Sequence, residues 1–61
     1  MKIKALPGKA ITIAKTLRDI SGLNITDCAN IARGMEEFPE ECFDELCNTL
    51  GNPDLFFELT E

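Results

Sequence analysis

The chain contains no histidine. That removes the side chain most often used as a general base near neutral pH, and the commonest metal ligand with it. It has no glycine-rich phosphate loop and no Ser-Gly nucleophile elbow, so the usual acid–base and nucleophile sets are missing. Carboxylates do pair up, but on a helix face too exposed to raise a pKa. A chain of 61 residues also has little room for a deep pocket. The expectation is a protein that is not an enzyme and takes no cofactor.

Long apolar runs are absent too. Nothing approaches the roughly 18 residues of a membrane span. The opening "MKIKALPGKA" has lysines but no apolar stretch long enough for a signal peptide. Repeats, low-complexity tracts and linkers are lacking. The three cysteines, Cys28, Cys42 and Cys47, are an odd number, which argues against a disulfide framework. A zinc site would need four ligands from three thiols and scattered carboxylates, so the cysteines read as small buried apolar residues. A cytoplasmic monomer or weak homodimer, with no membrane contact, is the default.

What is present is one small domain over residues 1–61. A domain of this length buries only about 60% of its unfolded surface, so its core is thin. A hydrophobic content of 44% nevertheless argues that it folds unaided. Charge is divided along the chain. Residues 1–35 hold all six bases (Lys2, Lys4, Lys9, Lys15, Arg18, Arg33) against Asp19 and Asp27, while residues 36–61 hold nine acids and no base. Such a split suits one face for acidic partners and another for basic ones. Direct nucleic-acid binding is disfavoured, because eleven acids against six bases repel phosphate at a distance.

"KIKAL" alternates as a half-buried strand would, and Pro7-Gly8 ends it. Over residues 9–21, Ala10, Ile13, Ala14, Leu17 and Ile20 form one stripe of an amphipathic helix, stopped at Ser21-Gly22. Leu23 is expected to pack back on that helix. Asn24 is a plausible N-cap with Asp27 at the capping-box spacing. The second helix then turns Ile25, Cys28, Ala29 and Ala32 inward and stops at Gly34. "MEEF" is either a short edge strand or a connector. Pro39 suits the first turn of a third helix, whose stripe is Cys42, Phe43, Leu46, Cys47 and Leu50. "DLFFELTE" closes the chain as a strand, with Leu55, Phe57 and Leu59 on one face and Phe56 on the other. The fold class is α+β: an antiparallel sheet of two or three strands covered by three helices, in the order β-α-α-(β)-α-β.

The stretch "AITIAKTLRDISGLNITDCANIARG" resembles the C-terminal domain of the bacterial ribosomal stalk protein (large-subunit protein seven/twelve). In that family a Lys-x-x-Arg on the first helix precedes a Gly-Leu-x-Leu turn. Here Lys15 and Arg18 match the basic pair, and Gly22, Leu23 and Ile25 match the turn, with isoleucine for the last leucine. The resemblance covers about residues 10–34. Three features depart from the family. No dimerisation domain or hinge precedes the first strand, the segment between the second and third helices is shorter, and Ala29 stands where the family usually has a lysine. The chain thus resembles the family's recognition domain on its own.

The resemblance implies a surface for translation-factor GTPases on the first two helices. The matching solvent-facing row is Ile11, Lys15 and Arg18, with Gly22 and Leu23 at the turn. An apolar side chain beside two cations fits the anchor-and-charge logic of a protein interface. A stand-alone copy points to a small regulator or inhibitor of a translation GTPase or another cellular enzyme, and a phage is a natural source. Two other readings stay open. Glu41, Asp44 and Glu45, on the outer face of the third helix, could imitate phosphate charge toward a nucleic-acid enzyme, and Phe56 could add an aromatic contact. The Clp-protease adaptor has a related fold, which makes a degradation adaptor the third.

Overall fold

A computed structural model describes residues 1–60 of the chain. Its two ends meet in one antiparallel pair, β1 (Ile3–Ala5) and β2 (Phe57–Leu59). Ile3 lies opposite Leu59, Lys4 opposite Glu58 and Ala5 opposite Phe57. The ladder continues on both sides, Thr60 N–H donating to the Lys2 carbonyl (3.0 Å) and Leu6 N–H to that of Phe56 (2.8 Å). Three helices, α1 (Ala10–Ser21), α2 (Ile25–Ala32) and α3 (Phe43–Leu50), complete an α+β domain in the order β-α-α-α-β.

The stripe of α1 packs as its spacing requires. Ile13, Ala14 and Leu17 are buried, with Ala10 and Ile20 half-buried beside them. Gly22 takes the left-handed conformation (φ 78°), and its N–H closes the helix on the Arg18 carbonyl at 2.9 Å. Ser21 Oγ donates to the Leu17 carbonyl (2.7 Å) and accepts from Leu23 N–H (3.2 Å), which fixes the turn. Asn24 then caps α2, its Oδ1 accepting the Asp27 N–H at 2.9 Å, an interaction that contributes about 1 kcal/mol. The Asp27 carboxylate reaches the Asn24 amide side chain at 3.0 Å, not the backbone N–H that a full capping box would use.

α2 is rotated relative to the expected stripe. Cys28, Ile31 and Ala32 are buried and Ala29 is half-buried, whereas Ile25 is 42% exposed and Leu23 lies at the surface. The helix has two overlapping apolar rows. The Cys28, Ile31, Ala32 row offers more side chain to α1 and β1, so it takes the core. At its end the Met35 N–H bonds the Asn30 carbonyl (2.9 Å), and Gly34, at φ 80°, makes the left-handed turn such a closure needs.

Residues 35–38 are a connector: they pair with no strand. They make one backbone bond to the segment before β1, Phe38 N–H to the Met1 carbonyl at 2.8 Å, and bury the Phe38 ring. Pro39 precedes a single 3-10 turn (Glu40–Cys42), and α3 proper starts at Phe43. Leu46 is fully buried, and the Phe43 ring stands edge-on to Phe38 and Phe57, with centroids 5.7 and 6.1 Å apart. The closing strand is shorter than its alternation suggests. A second 3-10 turn (Pro53–Leu55), with Leu55 N–H on the Asn52 carbonyl and Phe56 N–H on that of Pro53, draws these residues out of the extended state. Leu55 is therefore 61% exposed, and Leu59 at the strand end is 57% exposed. Phe56 ends the turn half-buried, with the Lys9 ammonium 5.4 Å from its ring centre, so it is no outward-facing strand residue.

Candidate functional site

The rotation of α2 creates a groove between α1 and α2. Alanine is too small to fill the space between two helices, and Ala10, Ala14 and Ala29 form the floor of a depression of about 120 Å³. Ile11 and Lys15 border it from α1, while Ile25 and Arg33 border it from the α2 side. Ile11 and Lys15 sit one turn apart, and Ile25, Ala29 and Arg33 repeat every fourth residue, so each row stays on one helix face. Ile11 is 69% exposed. Neither Lys15 nor Arg33 has an acidic partner within ion-pair distance among the described residues. The groove is thus an apolar slot between two uncommitted cations.

The expected row is only partly gathered there. Ile11 and Lys15 line the groove; Arg18, Gly22 and Leu23 are exposed but outside its lining. Arg18 stands in the last turn of α1, where its charge favours the negative end of the helix dipole. Three members are not among the expected site residues: Ile25 and Ala29, both expected on the inward stripe, with Ala29 also replacing a family lysine, and Arg33, counted only as a base. Their shared spacing of four, ending in a base beside the Ile11 and Lys15 row, was the available signal.

The acidic residues are laid out differently. Glu41, Asp44 and Glu45 are exposed around the start of α3, the end of a helix where acids are favoured whatever the function. Phe56 belongs to another part of the surface, against Lys9.

The thiols are free and held protonated. Burial pushes each of their pKa values upward. At Cys28, Asp27 adds to this, with Ser21 and Arg18 opposing; at Cys42, Glu41 and Glu45 add to it, and at Cys47, Asp44 and Asp54 do. Such thiols are poor nucleophiles near neutral pH. No cluster of three or more Cys, Asp or Glu positioned to hold a metal ion occurs among the described residues. Among the described residues, no helix is long and apolar enough to cross a membrane. No family model, curated protein or solved structure matches the chain.

Proposed function

We propose that this chain is a non-enzymatic protein-binding module that docks on an acidic protein surface through the α1–α2 groove. The observation behind this reading is the groove's composition: an alanine floor, two exposed isoleucines and two cations unpaired among the described residues, all within the basic part of the chain. A slot of about 120 Å³ matches one aliphatic or aromatic side chain of a partner, inserted as an anchor. Lys15 and Arg33 then take the carboxylates around that anchor, which sets orientation and speeds encounter.

The likeness of residues 10–34 to the ribosomal stalk domain makes a translation GTPase the first partner to test, and a small regulator or inhibitor the role. The two descriptions of the surface share Lys15 and differ at Arg18 and Arg33, of which only Arg33 lines the groove. Immobilised protein is offered purified translation GTPases, alongside a nuclease and a polymerase. Lys15→Glu combined with Arg33→Glu is expected to weaken capture of the GTPase at least about tenfold, since each charge contact at an interface is worth on the order of 1 kcal/mol. Ala29→Trp, which fills the slot without altering charge, is expected to do the same. Reversal of Glu41, Asp44 and Glu45 to lysine is expected to leave capture unchanged. Should that last variant alone lose capture, the acidic face is the working surface and the groove reading fails.

A further inference from the structure

We propose that the outer edge of β2 is a strand-addition site for an extended partner segment in which lysine or arginine alternates with aliphatic residues. This surface shares no residue with the α1–α2 groove, so it goes beyond the function proposed above.

The argument begins with the register. In an antiparallel pair, residues alternate between exchanging both backbone bonds and exchanging none. Bonds at Lys2–Thr60 and Leu6–Phe56 make the even-numbered residues the bonded set, with Lys4 and Glu58 between them. The N–H and C=O groups of Phe57 and Leu59 therefore point away from β1. No backbone or side-chain group accepts from or donates to them among the described residues. The corresponding outer edge of β1 is shielded: Gly34 packs on the Ile3 carbonyl, and Phe38 bonds to Met1. Among the described residues, the β2 edge has no such backbone contact.

Beside that edge lies an open groove of about 410 Å³, lined by Phe43, Pro53, Asp54, Phe57, Glu58 and Leu59. Its core side is apolar, with Phe43, Phe57 and the largely exposed Leu59. A third strand added here would lay its aliphatic side chains on those residues. Its alternate side chains would fall on the solvent face, level with Glu58, with Asp54 at the rim. Cross-strand pairs of opposite charge are favourable and like pairs unfavourable, which selects a basic segment. β1 shows the pattern already accepted on the other side of this strand, Lys-Ile-Lys opposite Glu58 and its neighbours. A second copy of β2 is selected against, because the two-fold register that uses Phe57 and Leu59 would set Glu58 directly against Glu58. Main-chain bonds supply affinity and the alternating side chains supply specificity, as in other strand-addition complexes.

The test uses the full chain and a labelled, end-capped peptide of about six alternating lysines and isoleucines, read by fluorescence anisotropy. Antiparallel addition directs the isoleucine N–H groups to Phe57 and Leu59. N-methylation at the isoleucines is expected to weaken binding about tenfold or more, and at the lysines less than about twofold. A glutamate-for-lysine peptide is expected not to bind. Leu59→Pro removes one outward N–H without touching a bond to β1, and is expected to lose the peptide. Equal effects of the two methylation patterns, or no saturable binding below roughly 1 mM, overturn the proposal. A dimer in sedimentation that Leu59→Pro dissociates also overturns it, by giving the edge to a second copy.

Discussion

Gly34→Ala is expected to destabilise the domain by about 2–4 kcal/mol, against a total stability of roughly 3–9 kcal/mol for a domain of this length. Two costs act together. The residue has φ 80°, where an alanine meets its own backbone, and its Cβ would lie 2.8 Å from the Ile3 carbonyl oxygen. The obstacle is main chain of β1, so no rotamer change can relieve it. Either β1 moves away from the end of α2 or the turn after α2 opens. Gly22→Ala isolates the first cost, because Gly22 has nearly the same φ, 78°, and nothing within 4 Å of the added atom. That variant is expected to lose only about 1–2 kcal/mol. Thermal melts followed by circular dichroism measure both, at about 4–8 °C per kcal/mol for a domain of this size. Equal losses would show that the approach of Gly34 to β1 is not what seats the strand.

Leu46→Ala is expected to cost about 2–5 kcal/mol, the range for emptying a fully buried leucine site. α3 makes this residue unusually important. Leu46 is the helix's one fully buried side chain, and Phe43, Cys47 and Leu50 are only partly covered. A cavity there removes the one fully buried side chain that α3 contributes to the core. Leu50→Ala, at the half-buried end of the same helix, is expected to cost less than half as much. Urea denaturation separates two outcomes. A lower midpoint with the same slope means the domain still unfolds as a unit; a shallower slope means that α3 detaches first.

How much of this was legible in the sequence differs from element to element. α1 could be read almost residue by residue, because a stripe repeating every three to four residues admits one buried face and Gly22 marks its end. The Asn24 cap was equally local. The last strand is shorter than its pattern implies: "LFFEL" alternates well, yet Asn52-Pro53 starts a turn that runs through Leu55 before any strand pairing begins. Ile25 departs from the inward stripe for a different reason. α2 is short and apolar on more than one face, so its rotation depends on which row α1 and β1 can cover. The sequence does not set that rotation, so of the groove's lining it marks Ile11 and Lys15 as exposed, and the four-residue spacing of Ile25, Ala29 and Arg33 is the further signal it carries.

By itself the sequence determined the helical hairpin, the caps and turns that bound it, and the separation of basic from acidic halves. These depend on contacts within a few residues, or on charge that folding cannot change. The tertiary structure alone decided that residues 35–38 form a connector, that Ile25 and Arg33 border a groove, and that the outward backbone groups of β2 have no hydrogen-bond partner among the described residues. Each rests on which surfaces meet when the two chain ends pair, and in so thin a core a small rotation moves a side chain from interior to surface.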